Sequence, residues 1–389
     1  MKDSHRIFTS FLGFGLLNNI LYVVILSAAV DLVGSQTPKA VVLLSDILPA
    51  FLLKLAAPFF IHLIPYKTRL WLLVGLSMTG MFIISLVDHI KFKIFGICMA
   101  SLSSGLGELT FLQLTHYYDE LHSIGGFSSG TGVAGLGGSF LFMLLTNIMG
   151  VSISWTLLLF SVLPLGFIIL YYLLLPPMAE EIRYEALDDY ELTSHSFKNH
   201  FFTILDQIRP LLRPYMIPLC TVYISEYVIN QGVSPTLLFP LEELPRWLFK
   251  SFRDIYVVYG FLYQLGVFIS RSSINFGFRF KNLYLLSILQ FINVLITITQ
   301  SVYFWPFPKI WFLLVLILYE GLLGGLSYVN TFYSVSEESS KNKREFNMGC
   351  VGMSDSLGIV IAGLINYNLE RSLCNAQISR GRDWCQRTK

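Results

Sequence analysis

Charge is what this sequence has least of. Asp, Glu, Lys and Arg make up 13% of its 389 residues, about half the share of a typical soluble domain. A soluble chain of this length would form about two or three domains, each with a charged exterior, and this composition excludes them. The net charge is only +2 and no basic tract exceeds a short loop cluster, so nucleic acid is not an expected partner. There is no HExxH, GxSxG, Walker loop, EF-hand or metal-spaced Cys/His set. The chain therefore reads as a non-enzyme with no metal or cofactor. The five Cys form no CxxC pair, and Cys98, Cys220 and Cys350 fall in apolar runs as small packing residues. No Asn-x-Ser/Thr sequon occurs, so N-glycosylation is not expected. The first apolar run is too long for a cleaved signal peptide.

Apolar residues are abundant instead, at 54%, with 32 Phe and 20 Tyr. They gather in runs at 8–33, 40–64, 70–87, 94–114, 124–149, 151–175, 211–231, 255–270, 283–303, 308–330 and 346–366. The fold class is an all-α polytopic membrane protein with about eleven transmembrane helices. Residues 1–177 form a six-helix half, 178–210 an acidic connector on the cytosolic side, 211–368 a second helical half, and 369–389 a polar tail. Residues 233–254 read as an interfacial helix pair. Lys and Arg in the short loops favour a cytosolic N-terminus. Eleven crossings then leave the basic tail in the lumen, against that rule, and a twelfth crossing would remove the conflict. On the lumenal side Cys374 and Cys385 would be free to form a disulfide.

Residues 308–330 organise the chain. They hold Glu320 near mid-span, where a carboxylate costs several kcal/mol unless protonated, paired or wetted. Gly321 and Gly325 follow at GxxxG spacing, which lets a neighbouring helix come close. Residues 107–113 (GELTFLQ) read against 324–330 (GGLSYVN) at an offset of 217. Gly130 reads against Gly349, and Leu70 behind a basic turn against Leu283, at nearly the same offset. Three matches in order imply two repeated halves, a common transporter plan.

Few charged side chains lie inside the runs. Asp46 and Lys54 share the second, about 12 Å apart along its axis, and line one broad face without touching. Asn18 and Asn19 lie in the first run, Glu108 in the fourth, Glu226 and Asn230 in the seventh, Glu320 in the tenth and Asp355 in the eleventh. One reading is a polar cavity between the halves. Lys54, Asp46, Asn19 and Glu226 would bind a small-molecule substrate there, Lys54 holding its anionic group, while Glu320, Glu108 and Asp355 exchange protons. The other is static pairing between helices, with Lys54 snorkelling and the Asn residues as hydrogen-bond partners. The run Gly130-Thr-Gly132-Val-Ala-Gly135 matches GxGxxG, but it lacks the strand and acid of a nucleotide site. It reads as a close-packed or sliding helix. Tyr184-Glu-Ala-Leu187 fits a tyrosine-based endosomal sorting signal.

Ten segments resemble the battenin (Batten disease protein) family: 13–29 (GFGLLNNILYVVILSAA), 46–49 (DILP) with Lys54, 104–110 (SGLGELT), 128–132 (SSGTG), 226–232 (EYVINQG), 270–273 (SRSS), 319–325 (YEGLLGG), 328–332 (YVNTF), 344–346 (REF) and 354–358 (SDSLG). The resemblance runs from residue 8 to about 374, and the lean loops are similar to the fungal branch. It implies a major-facilitator-like fold in the vacuolar or lysosomal membrane, with the lipid bilayer, protons and a small solute as partners. In animals it implies lysosomal export of glycerophosphodiesters. In fungi it implies vacuolar pH balance, arginine uptake into the vacuole and effects on late endosome–Golgi traffic. The animal branch ends in a prenylation box; here fifteen residues follow Cys374 and no such box exists. The alternative from another class is a non-transporting scaffold that regulates trafficking or the vacuolar proton pump.

Overall fold

In a bilayer each apolar run must satisfy its own backbone N–H and C=O groups, and a helix is the one open-chain way to do so. The computed structural model describes residues 2–28, 32, 39–177, 197–246, 249 and 252–386. Every run becomes a helix. The first half holds α1 (Lys2–Ser27), α2 (Lys39–Ala56), α3 (Tyr66–Leu86), α4 (Ile90–Leu114), α5 (Glu120–Met143) and α6 (Ile153–Leu174). The second begins with α7, a continuous run through Phe197–Leu211, Leu212–Met216, Ile217–Tyr227 and Val228–Val233. Then follow α8 (Phe252–Ser272), α9 (Leu283–Tyr303), α10 (Ile310–Glu338), α11 (Lys341–Val351) and α12 (Met353–Ile378). Nine segments among the described residues are long and apolar enough to cross a membrane, α11 and α12 counting as one from Lys343 to Ile378. With α7 and α8 the described residues traverse the bundle eleven times. No strand occurs among the described residues.

The halves pack alike. In the first, α1 lies on α5, and α4 on α2 and α3. In the second, α7 lies on α12, and α10 on α8 and α9. The interface between halves is made mainly by α2 with α12 and α5 with α8. Gly107 of α4 abuts Asn18 of α1, and Gly324 of α10 abuts Glu226 of α7. Each therefore touches a polar side chain on the first helix of its own half.

Glycine sets the closest crossings. A Cβ at Gly321 would strike the backbone of Tyr263, and one at Gly266 the backbone of Leu318, so α8 and α10 meet backbone to backbone as the GxxxG spacing implied. The Gly-rich α5 is tight on two sides: Gly126 and Gly130 face the α1 backbone, Gly132 and Gly135 face Phe268 and Gln264 of α8.

Arg6 Nε donates to the Leu174 carbonyl at 3.0 Å, so α1 starts where α6 ends; we call this the N-terminal face. Gln377 Nε2 donates to the Ser301 carbonyl at 2.9 Å, so α12 ends beside the end of α9 on the far face. An odd number of traverses places the tail opposite the N-terminus, and the described residues contain no twelfth crossing. Cys374 and Cys385 form a disulfide there.

Two expectations need correction or restriction. Residues 233–254 are no interfacial helix pair: between the end of α7 and the start of α8 the described residues form the 3-10 turns Ser234–Thr236 and Leu241–Glu243. Leu237, Phe239 and Phe249 are each at most 2% exposed, inside the second half's core. Pro235, Pro240 and Pro245 recur every fifth residue: Pro235 sits in the first turn of Ser234–Thr236, and Leu244, before Pro245, is extended. Much of the acidic connector, with Tyr184, lies outside the described residues.

The α8–α10 crossing yields a test. Gly321→Ala should lower the stability of the detergent-purified protein by about 1–3 kcal/mol, read as a fall in thermal midpoint. Gly75→Ala, where a Cβ meets nothing within 4 Å, should be neutral or slightly stabilising.

Candidate functional site

A lysine inside an apolar bundle needs acceptors for three N–H donors and a balancing charge. Lys54, two residues before the end of α2, is 2% exposed. Its Nζ donates to Glu108 Oε2 of α4 at 2.7 Å, to Asp355 Oδ1 of α12 at 3.2 Å and to Ser356 Oγ at 2.9 Å. Asp355 is also held by the backbone N–H of Ser356. The Lys54–Asp355 bond joins the two halves. The other oxygen of Glu108 accepts from the Tyr328 hydroxyl of α10 at 3.4 Å.

Arg271, near the end of α8, continues this layer. Its Nη1 donates to Thr131 Oγ1 of α5 at 2.5 Å and its Nη2 to the Tyr223 hydroxyl of α7 at 3.0 Å. The guanidinium carbon lies 4.2 Å from the centre of the Tyr328 ring. The layer thus runs Asp355–Lys54–Glu108–Tyr328–Arg271–Thr131 and crosses between the halves three times. Nearer the N-terminal face, Glu345 of α11 accepts from Tyr66 at 2.6 Å and Tyr117 at 2.8 Å. Arg344 pairs with Glu120 at 2.6 Å. Asn275 donates to Ser129 Oγ at 2.8 Å. The halves are closed together at this end.

The remaining acids lie elsewhere. Glu320 is 0% exposed; its Oε1 accepts from Asn230 Nδ2 at 3.0 Å and its Oε2 has no hydrogen-bond partner. Asn230 also donates to the backbone carbonyl of Glu226, one turn earlier on α7. Glu226 is 2% exposed, lies over Gly324 and has a free Oε2. Glu226, Asn230 and Glu320 therefore form a buried cluster within the second half. In the first half, Asp46 lines a narrow cavity with Asn18, Tyr22, Ser77 and Ser103. The cavity has room for about one water, and Asp46 Oδ2 has no hydrogen-bond partner.

The predicted residues thus fall into three groups. Lys54, Glu108 and Asp355 meet. Glu226 meets the Glu320 group. Asp46 lies with Asn18, whereas the Asn19 amide bonds the Gly15 carbonyl of its own helix and does not line the cavity. Glu108 and Glu320 do not touch. At the 217-residue offset Glu108 corresponds to Gly325, five residues or about 7.5 Å along the helix from Glu320. Sequence reasoning did not count Arg271 among the candidate residues, because it lies one residue beyond the apolar run 255–270. One signal was there: Arg271 lies 217 residues after Lys54, the offset of the central repeat. It also missed a buried polar stripe on α9, where Gln290, Asn293, Thr297 and Gln300 are each at most 2% exposed.

Comparison with known proteins agrees with this architecture. A family model described as CLN3 protein matches residues 9–199 and 179–376. Protein BTN1 of Debaryomyces hansenii is 63% identical, covering 99% of this chain and 98% of that protein. Protein BTN1 of Candida albicans is 60% identical over 99% of this chain and 98% of that protein. For Protein BTN1 of Saccharomyces cerevisiae the values are 46%, 99% and 100%. Among solved structures, the human organic anion transporter MFSD10 (TETRAN) superposes with a TM-score of 0.64 at 15% identity, over 99% of this chain and 96% of that one. A bacterial homologue of the iron transporter ferroportin in an outward-facing state gives 0.58 at 15% identity, over 100% and 95%. These two carry the fold alone, the major-facilitator-like one. On the matched family model and the fungal relatives, this multi-pass membrane protein belongs to the CLN3 protein, or battenin, family.

Proposed function

We propose that the chain is a proton-coupled transporter of the vacuolar membrane. It works by rocking residues 8–175 against 211–366. The observation that carries this reading is the Lys54–Asp355 bridge. It closes one end of the bundle with a charged bond between the halves, a contact that exists in one of two rocking states and breaks in the other. The N-terminal face is cytosolic and the far face, with the disulfide-bonded tail, lumenal. Rocking open at the cytosolic face parts Lys54 from Asp355 and leaves Lys54 with Glu108. Asp355 must then take a proton or a cation.

The solute is a basic amino acid such as arginine, with glycerophosphodiesters as the second candidate. Asp46, Glu226 and Glu320 each keep a buried oxygen without a hydrogen bond, which suits a solute bearing positive charge. The same three oxygens count against the non-transporting scaffold, in which every buried acid would be statically paired. Glu320 carries the coupled proton. Alternately open to an acidic lumen and a near-neutral cytosol, it loads in one and releases in the other. Through this exchange the protein contributes to vacuolar pH balance and, indirectly, to late endosome–Golgi traffic.

Uptake and efflux by purified protein in liposomes, with L-arginine and glycerophosphocholine compared, test the reading. No movement of either under a pH gradient would reject it.

Two variants test the parts. Glu320→Gln keeps the shape and removes the titration. It should abolish pH-driven transport while exchange at equal pH and vacuolar delivery survive; a wild-type rate with a wild-type pH dependence would exclude Glu320. Lys54→Met leaves Glu108 and Asp355 buried without their cation, which costs about 3–5 kcal/mol. Both transport modes should be lost and the thermal midpoint should fall, with Lys54→Arg restoring part of each.

A further inference from the structure

The two basic residues of the interface are placed alike and partnered differently. Lys54 closes α2 and Arg271 closes α8, 217 residues later. Each bonds across the interface, Lys54 to α12 and Arg271 to α5. Lys54 is surrounded by two carboxylates and a hydroxyl, which use all three of its donors. No carboxylate lies within ion-pair distance of Arg271 among the described residues. Its partners are two neutral hydroxyls and an aromatic face, and its Nε–H is buried without an acceptor. Glu108 makes no bond to it; its nearest link is the Tyr328 hydroxyl, whose ring covers the guanidinium. Glu226 and Glu108 are both near enough to act on its charge, but neither bonds to it.

A guanidinium keeps its charge at any physiological pH. Held between membrane helices without a counter-ion, it is costly unless an anion completes it. The geometry points to Arg271, rather than Lys54, as the anion-binding pole of the translocation path, taking an oxyanion of the transported solute. This rests on the transporter reading above. When the N-terminal face opens, α5 leaves α8 and Thr131 withdraws. The Nη1 donor it used and the idle Nε–H are then both available to a carboxylate or a phosphodiester, acceptors that suit the guanidinium's planar fork. Tyr223 and Tyr328 stay with Arg271 as walls of the subsite, since α7, α8 and α10 belong to one half. The solute's positive end is left to the free carboxyl oxygen of Glu226.

Binding to the full chain in lipid nanodiscs tests this with two matched pairs of probes. L-Arginine is compared with agmatine, which lacks the carboxylate, and glycerophosphocholine with choline, which lacks the phosphodiester. Wild type should prefer the oxyanion-bearing member of at least one pair, and that pair identifies the source of the oxyanion. Arg271→Met should weaken that member by about tenfold or more, to the level of its analogue, and leave the analogue's binding unchanged. Arg271→Lys keeps the charge without the fork and should lose several-fold; it carries the test if the Met variant does not fold. Undiminished oxyanion preference in these variants overturns the assignment and leaves Arg271 as a bond between the halves. Loss of the preference in Lys54→Met alone moves the pole to Lys54. Wild type with no oxyanion preference also overturns it, while the transporter reading is judged separately by liposome uptake.

Discussion

The ammonium of Lys54, held between Glu108 and Asp355, is the interaction on which the arrangement of the halves depends. A charge in an apolar bundle is tolerable only with its partners in place. Of the two acids, one belongs to each half. The cation is thus a bolt whose release leaves at least one carboxylate exposed to an apolar interior. Around it the secondary bonds follow in order: Tyr328 onto Glu108, Arg271 against Tyr328, Thr131 onto Arg271. Glu345 and Arg344 repeat the closure nearer the face. A contact of this kind is bistable rather than elastic, as the proposed rocking requires.

Polar bonds of this kind require helices close enough to share them. Lipid tails give no hydrophobic drive for helix association, so close packing has to come from small residues. The Gly-rich α5 lies between α1 and α8, one helix from each half, with glycine on both sides. That double contact places Thr131 and Ser129 within reach of Arg271 and Asn275.

The far face of the second half is closed by other means. Three prolines break residues 234–245 into turns whose apolar side chains fill the core beneath α8 and α9. The tail locks over them: Gln377 bonds Thr236 and Ser301, Arg382 bonds the Ser301 and Val302 carbonyls, and Trp384 stacks on Phe252. The Cys374–Cys385 bond ties the tail back to α12. Among the described residues this half has five traverses where the first has six, and the folded segment and tail cover the end of the core.

Hydrophobic runs determined the helices, because a chain in lipid has one open-chain way to satisfy its backbone; the ninth run, 283–303, matches its helix at both ends. Composition and motif determined the membrane class and the family, and the 217-residue offset showed the repeat. The segment at 233–254 was expected at the interface as a helix pair; its prolines instead divide it into turns, and its apolar side chains enter the core. What no local pattern contains is which polar groups meet. Lys54 and Asp355 are 301 residues apart, and their bond depends on the rotation and depth of two helices from different halves. Whether an intramembrane acid is paired, half-paired as Glu320 is, or idle as one oxygen of Asp46 is, follows from that rotation alone. The tertiary structure decided it, and with it that Lys54 is the bolt between the halves and Arg271 the cation without a counter-ion.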